Sequence, residues 1–307
     1  MKTKEKVLVI GGSGFLGSHI ADSLSEHGYK VTIFDLKSSP YLRDDQEEIL
    51  GDILDEKTVN SAIKDNEIIY NIAGIADIGE CFDKPLDTVK QNILGNAIVL
   101  DGCVKYKVKK FLYASSAYVY SDAGSFYRIS KQASELLIEG FHEKHGLTYV
   151  ILRYGSLYGE RADRRNSIYR MLEEALTNYQ IKYYGDGNEK REFIHVRDAA
   201  ELSVKVLDDK YNNQNIILTG PTVIEYSDLL NMIKEIMHGK IKIVYGPRKS
   251  DTHYKLSPYS FSPKLGKKLI INPHIDLGQG LLNLISHIHN KLHPELKDKF
   301  GVLINEK

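Results

Sequence analysis

Two side chains four residues apart, Tyr127 and Lys131, carry the clearest chemical signal in the sequence. On a helix they would project from one face, one turn apart. A phenol has an ordinary pKa of about 10 and is a poor base at neutral pH, but a neighbouring ammonium lowers that pKa and stabilises the phenolate. Such a pair could remove a proton from a substrate hydroxyl. The spacing also arises by chance, because the chain contains 20 tyrosines.

Two serines, Ser115 and Ser116, strengthen the catalytic interpretation. They follow residues 110–114, a mostly apolar run that is predicted to form a strand of a parallel sheet. The carboxyl end of such a strand borders the crevice in which α/β proteins bind ligands. A hydroxyl there could hold the substrate oxygen while its proton moves to Tyr127. The predicted catalytic set is therefore Ser116, Tyr127 and Lys131.

A glycine-rich segment near the start of the chain predicts a phosphate-binding loop. The apolar residues 7–10 run into GGSGFLG at 11–17, and a helical pattern covers residues 15–27. Glycines at these positions permit a tight turn and let backbone N–H groups approach a pyrophosphate at the helix N-terminus. A plain turn is the alternative, but the strand–loop–helix context disfavours it. The predicted contacts are Gly11, Ser13, Gly14, Phe15, Leu16 and Gly17.

An acidic residue, Asp35, ends the second predicted strand, residues 30–35. A carboxylate at that distance from the glycines would accept hydrogen bonds from the adenosine ribose and would repel a 2′-phosphate, which favours NAD over NADP. Lys37 is interpreted as a solvated side chain. Asp52 and Ile53 follow the next strand and are candidates for the adenine side; a glycine turn capped by Asp52 is the alternative.

The elements that must position these residues alternate between strand and helix. Strands are predicted at 7–10, 30–35, 68–72, 110–114 and 149–153, and helices at 15–27, 55–63, 86–106 and 126–144. This alternation is typical of a parallel sheet covered by helices on both faces. After Gly159 the rhythm changes to short strands at 182–184, 193–196, 215–218 and 240–244 and helices at 168–179, 198–207, 226–237 and 280–291. The sequence thus predicts an α/β, Rossmann-type doubly wound parallel sheet with a smaller mixed C-terminal domain.

Composition excludes several function classes. The 307 residues carry 41 basic and 41 acidic side chains, so no net charge favours nucleic acid or an acidic membrane as a partner. Cys81 and Cys103 share no ligand spacing and are expected to be buried, reduced thiols. The apolar run at 7–10 is too short for a signal peptide or a membrane span, so a cytoplasmic enzyme is expected. His287 and His289 lack a third ligand nearby, and no metal is predicted.

Taken together, the motifs resemble the extended short-chain dehydrogenase/reductases that act on nucleotide sugars. The resemblance spans nearly the whole chain. Its segments are GGSGFLG at 11–17, FD at 34–35, GDI at 51–53, YNIAG at 70–74, QNILGN at 91–96, SSAYVY at 115–120, YRISK at 127–131, LRYGSLYG at 152–159, GDGNEKREFIHVRDAA at 185–200, RKSD at 248–251 and SPKLG at 262–266.

The resemblance implies bound NAD and assigns further roles by position. Ser116, Tyr127 and Lys131 match the catalytic triad, and Ala73, Gly74 and Asn92 match cofactor-side positions. Arg191 and Arg248 match arginines that grip the nucleotide diphosphate, whose oxygens suit a guanidinium fork; each alone could be a solvated surface charge. Ser156 stands where an asparagine that contacts the substrate is common.

The resemblance also implies a domain organisation and an assembly. Residues 1–165 would form the NAD-binding Rossmann domain, to which 194–220 return. Residues 166–193 and 221–307 would bind the nucleotide sugar. A homodimer is expected by analogy, through helices near 86–106 and 126–144.

Departures from the family pattern narrow the expected reaction. Ala117 and Tyr118 replace the acid pair of sugar 4,6-dehydratases, and Ala117 also replaces the cysteine of fucose-synthase-like enzymes. Only ten residues separate Ser116 from Tyr127, a loop shorter than in most relatives, which is expected to widen the sugar pocket or alter sugar choice. We expect oxidation at C4 of a GDP- or UDP-linked sugar, as in the GDP-mannoheptose 4-dehydrogenases, with 4-epimerisation as the alternative. A reductase of a non-nucleotide substrate and a non-catalytic NAD-binding regulator are the remaining hypotheses.

Overall fold

A computed structural model describes residues 5–247, 267–271 and 273–294. Its strands are β1 (Lys6–Ile10), β2 (Lys30–Asp35), β3 (Gln46–Leu50), β4 (Ile68–Asn71), β5 (Lys110–Ser116), β6 (Tyr149–Tyr154), β7 (Ser156–Tyr158), β8 (Gln180–Tyr184), β9 (Lys190–His195), β10 (Gln214–Leu218), β11 (Val223–Glu225), β12 (Lys242–Gly246) and β13 (Lys267–Leu269). Its helices are α1 (Phe15–Glu26), α2 (Glu56–Ile63), α3 (Ile78–Asp83), α4 (Pro85–Thr88), α5 (Gly95–Lys105), α6 (Ser125–His145), α7 (Ser167–Asn178), α8 (Val196–Lys205), α9 (Tyr226–Ile236) and α10 (Leu277–Leu292).

The large sheet confirms the predicted fold class. Among the described residues it contains eight strands in the order β13-β10-β6-β5-β4-β1-β2-β3, and every neighbouring pair is parallel. The chain moves outward from β1 to β3 in one direction and from β4 to β6 in the other. The crevice at the carboxyl ends of β1 and β4 is therefore the topological switch point, where such sheets bind ligands.

Successive side chains of each strand point to opposite faces of the sheet, and each face has its own core layer. Val7 and Val9 of β1 pack with α1 and α8 on one face of the sheet. Leu8 and Ile10 pack on the opposite face, with α2, α5 and α6. Because both faces are covered, these strands are apolar throughout. A third core lies between α7, α9 and α10, beside the smaller sheets β11-β9-β7 and β12-β8.

Several details differ from the sequence-based expectation. The helix predicted over 86–106 is α4, a π-helix at Val89–Leu94 and α5 in succession. The short elements α3, β7 and β11 were not predicted. Strand β13 pairs with β10 in the large sheet, although 221–307 had been assigned to the smaller domain, so that assignment is corrected for these three residues. The rest of the domain division stays a prediction.

Among the described helices, none combines the length and apolar character needed to cross a membrane.

Leu24→Ala should test the packing of α1 on the sheet. Leu24 is completely buried, so its truncation leaves a cavity and should lower the free energy of unfolding by about 2–5 kcal/mol. Leu50→Ala is the matched control, because Leu50 is 56% exposed. Urea unfolding of both variants measures the difference; equal losses of stability would contradict the packing.

Candidate active site

The loop between β1 and α1 forms one end of a large cleft. At Gly17 the backbone passes so close to the loop that an added Cβ would lie 2.0 Å from the Gly11 carbonyl oxygen. The N-terminus of α1 has no side-chain cap, so its backbone N–H groups and the positive end of its dipole are available to an anion. The cleft is lined by the predicted phosphate contacts Gly11, Ser13, Gly14, Phe15, Leu16 and Gly17. The loop therefore fits a dinucleotide pyrophosphate.

Asp35 lies beside this loop and lines the cleft. Its Oδ2 accepts a hydrogen bond from the Ser13 backbone N–H (3.1 Å), and the Ser13 hydroxyl donates to the Lys37 carbonyl. These bonds fix the carboxylate on the cleft wall. Ile53 also lines the cleft, whereas Asp52 does not. The Asp52 carboxylate accepts from the Leu54 N–H (2.9 Å), which is the turn-capping role considered from the sequence.

The opposite wall is the segment after β4. Ala73 and Gly74 line the cleft, but Asn92 does not. The Asn92 amide is buried behind the wall, where it accepts from the Ile75 N–H (2.7 Å) and donates to the Ile75 carbonyl and to the Ser130 hydroxyl (both 3.0 Å). Asn92 thus ties the wall to α6 rather than facing a ligand itself. The sequence pattern locates this residue but not its partners.

The predicted catalytic residues Ser116, Tyr127 and Lys131 line the same cleft. The Lys131 Nζ donates to the Ala114 carbonyl (2.7 Å) and lies 5.8 Å from the centre of the Tyr127 ring. Burial lowers the pKa of Lys131 to about 8. The Ser116 Oγ accepts from the Tyr118 N–H (3.3 Å), so its own O–H can still donate into the cleft. The geometry matches a phenol acting as base beside a buried ammonium.

Tyr118 is a wall residue whose contact with Tyr127 sequence reasoning missed. Its ring meets the Tyr127 ring edge to face, with 5.9 Å between the ring centres. Ala117 is buried instead and does not line the cleft. The position next to the catalytic serine therefore presents no acid to a substrate, and the following position presents an aromatic ring.

The cleft continues from the catalytic residues toward the smaller domain, and its volume is about 1430 Å³. Ser156 and Arg191 lie on its wall, as predicted. The Arg191 guanidinium is buried and lies 5.7 Å from the centre of the Tyr226 ring. Arg248 lies outside the described residues. Further wall residues that the sequence did not indicate are Asp163, Arg165, Asn166, Arg170, Tyr183, Tyr184, Glu189 and Tyr226.

Comparison with known proteins decides the family. The model of the NAD dependent epimerase/dehydratase family matches residues 7–219. The chain belongs to this family. It is therefore an NAD-dependent enzyme of the short-chain dehydrogenase/reductase type, and the predictions of family, enzyme class and cofactor are confirmed.

Similar proteins cover almost the full length of the chain. A putative UDP-glucose 4-epimerase of Methanocaldococcus jannaschii is 29% identical, over 92% of this chain and 98% of that protein. A UDP-N-acetyl-alpha-D-glucosaminuronate decarboxylase of Bacillus cytotoxicus is 27% identical, over 92% and 97%. The structure of UDP-N-acetylglucosamine 4-epimerase from Methanobrevibacter ruminantium, in complex with UDP-N-acetylmuramic acid, has a TM-score of 0.81 at 25% identity, over 95% of this chain and 100% of that one.

Gly17→Ala should strongly weaken NAD binding. The new methyl group would collide with the Gly11 carbonyl and push α1 away from the phosphate loop. Gly140→Ala is the matched control, because an added Cβ there would meet no atom within 4 Å and Gly140 does not line the cleft. Calorimetric titration with NAD should show at least about a hundred-fold weaker binding for Gly17→Ala, or about 2.7 kcal/mol. Equal affinities would exclude this loop as the phosphate site.

Proposed function

We propose that the enzyme oxidises the C4 hydroxyl of a nucleotide-linked sugar to a 4-keto group. The observation that supports this most is the continuity of the cleft. One cavity joins the phosphate loop, the Tyr127–Lys131 pair and the buried Arg191. It therefore has room for a dinucleotide at one end and a phosphorylated substrate at the other, with the reacting hydroxyl between them. The buried guanidinium of Arg191 on this wall suits a diphosphate, whose oxygens it can bind in pairs, better than it suits a neutral small molecule.

Three residues of this chain have separate roles in proton transfer. Ser116 donates a hydrogen bond to the substrate oxygen, and Tyr127 removes the hydroxyl proton. The Lys131 ammonium stabilises the phenolate that performs this step. Bound NAD, which the phosphate loop and Asp35 would hold, would supply the acceptor for the hydride lost from C4 as the C4–O bond becomes a carbonyl. Ala117 and Tyr118 offer no carboxyl group for elimination of water, so the proposal does not include dehydration.

Two net outcomes use these residues in the same way. If the 4-keto sugar leaves, the enzyme is a nucleotide-sugar 4-dehydrogenase, which we favour because the loop from Ser116 to Tyr127 is short and its Tyr118 ring borders the catalytic tyrosine. If the sugar turns over and the hydride returns, the enzyme is a 4-epimerase. The second candidate is supported by the 4-epimerases of two archaea among the similar proteins.

The nucleotide is proposed to bind between Arg191 and the aromatic residues of the smaller domain. The Tyr183 and Tyr226 rings lie 5.1 Å apart, inclined by 32°, and both line the cleft. Similar proteins are named for UDP- and dTDP-linked sugars. GDP- and UDP-linked substrates are both part of the proposal, and the GDP-linked heptose suggested by the sequence stays a prediction.

A panel of UDP-, dTDP- and GDP-linked hexoses and heptoses separates the candidates. Purified enzyme is incubated with each compound and NAD, while NADH absorbance and the configuration at C4 are followed by optical and NMR spectroscopy. Net NADH formation with a 4-keto product supports the dehydrogenase. A change of configuration without net NADH supports the epimerase. No reaction with any nucleotide sugar, but reaction with free sugars or alcohols, would overturn the substrate class.

Tyr127→Phe should lower kcat by about two to four orders of magnitude, the usual contribution of a general base. The ring and its packing are retained, so NAD affinity should change little. Tyr179→Phe is the control for loss of a phenol away from the site, because Tyr179 is 54% exposed and does not line the cleft. Steady-state kinetics and NAD titration of both variants give the result; a Tyr127→Phe enzyme with near-native kcat would refute the catalytic assignment.

A homodimer is part of the same proposal. The helices α4, α5 and α6 and the π-helix between α4 and α5 pack beside one another and expose large apolar side chains, namely Leu86, Val89, Leu94, Ile129 and Leu136. A second copy could cover this surface with its own helices about a two-fold axis, because one apolar surface is then complementary to itself. The result would be a four-helix bundle.

Leu136→Asp should dissociate this dimer. Leu136 is 66% exposed in the single chain, so a carboxylate there costs the isolated chain little but would be buried at the interface. Leu50→Asp, on the far edge of the sheet, is the control. Sedimentation velocity should give a monomer for the first variant and a dimer for the second. A dimeric Leu136→Asp protein, or a monomeric parent, would argue against this interface.

A further inference from the structure

The catalytic face of α6 extends one turn beyond Lys131. Tyr127, Lys131 and Glu135 follow one another at intervals of four residues, so all three project toward the end of β5. Glu135 is only 6% exposed and does not line the cleft. A buried carboxylate directly behind the catalytic pair requires a physical explanation.

Glu135 holds together two strands and a turn. Its Oε1 accepts from the Ser115 hydroxyl (2.5 Å) and from the Arg153 Nε (3.0 Å). Its Oε2 accepts from the Arg153 Nη2 (2.6 Å), which completes a bidentate ion pair. The remaining Arg153 Nη1 donates to the Tyr120 hydroxyl, in the turn that follows Ser116. The network thus joins Ser115, which lines the cleft, to the turn after Ser116, whereas Glu135, Arg153 and Tyr120 lie behind the cleft wall.

Two neighbouring side chains of α6 therefore hold two consecutive residues of β5. Lys131 bonds to the Ala114 carbonyl and Glu135 bonds to Ser115. Ser116 is the next residue. Both contacts therefore help to set the distance between the Ser116 hydroxyl on β5 and the Tyr127 phenol on α6.

Stability alone does not account for the ion pair. Both side chains are buried, and replacing such a pair by apolar residues of similar volume is often neutral or stabilising. The negative charge of Glu135 also affects Lys131, because burial disfavours the ammonium form of that lysine. The titratable or charged groups that face Lys131 are Tyr127 and Glu135 on α6, Tyr113 on β5 and Cys81 on α3. Burial lowers the pKa of Lys131, and Cys81 and then the Glu135 carboxylate raise it again in part.

We propose that Glu135, anchored by Arg153, is a positioning residue that sets the separation of Ser116 from Tyr127 and keeps the Lys131 ammonium charged. This inference rests on the proposed function, in which Tyr127 is the base. Glu135 acts through Ser115 and Lys131 and does not contact the substrate.

Glu135→Gln tests the proposal. Loss of the negative charge lowers the pH at which Lys131 gives up its proton, so the phenolate of Tyr127 loses its stabilising partner and forms only at higher pH. The acidic limb of the kcat/KM profile should move upward by about one pH unit. At neutral pH, kcat should fall about ten-fold, a partial loss of general-base catalysis, while KM for the nucleotide sugar stays within about two-fold of the parent.

Two single variants separate charge and position from simple loss of a buried carboxylate. Glu135→Asp retains the charge but is shorter, so kcat should fall while the pH profile stays at the parent position. Glu192→Gln removes another buried carboxylate, paired with Lys268 at 3.1 Å, and should change stability but neither kcat nor the profile. A pH shift of the same size in Glu192→Gln would overturn the proposal.

The double variant Glu135→Met/Arg153→Met covers the case in which Glu135→Gln fails to fold. It removes both charges at similar volume, so it should fold and still show the shifted profile. A double variant with the parent profile and kcat would overturn the proposal.

A measurement without substrate separates this inference from the proposed function. The ultraviolet signal of ionised tyrosine, taken as the difference from Tyr127→Phe in each background, reports the phenolate directly. Its midpoint should move upward in Glu135→Gln. If no nucleotide sugar reacts but the midpoint moves, the proposed function fails and the role of Glu135 stands. If sugars react and the midpoint does not move, the role of Glu135 fails alone.

Discussion

The buried ammonium of Lys131 is the interaction on which the catalytic side of this structure depends. A cation that is 94% buried must be compensated by the groups around it. Here the compensation comes from the Ala114 carbonyl, the face of the Tyr113 ring, 4.9 Å from Nζ, and the Glu135 carboxylate one turn away. Two of these three groups lie on β5. The requirement to solvate one charge therefore also fixes α6 against the strand that carries the catalytic serine.

At the cofactor end of the cleft, a steric constraint fixes the position of a helix against the sheet. The contact between Gly17 and the Gly11 carbonyl leaves no space for a side chain. The first turn of α1 therefore packs directly against the loop that follows β1. The wall opposite is held by Asn92, whose amide bonds to both backbone polar groups of Ile75. Because Asn92 also bonds to Ser130 on α6, this wall of the cleft is tied directly to the helix that carries Tyr127 and Lys131.

Local sequence patterns predicted much of this arrangement. Strand β2 was predicted with its observed bounds, and α6 within one residue at each end, since both have long and regular apolar patterns. The strand β7 was missed because three residues carry no detectable period; it exists through its parallel pairing with β9, far along the chain. The interruption of the helix over 86–106 was missed for a similar reason. The π-helix leaves the Asn92 carbonyl to accept from the Ser134 hydroxyl on α6, a tertiary bond that no local pattern records.

The same distinction separates the cleft residues that the sequence indicated from the residues behind the cleft that it did not. Ser116, Tyr127, Lys131 and the glycines belong to short motifs whose spacing carries the chemistry. Glu135 follows Lys131 by four residues, and that spacing was a usable signal. The role of Glu135, however, depends on its ion pair with Arg153, which lies on the next strand. From the helix sequence alone, this carboxylate would be predicted to be exposed to solvent. Only the register of β5 and β6, which pairs Ser115 with Arg153, shows that this one completes the environment of the catalytic lysine.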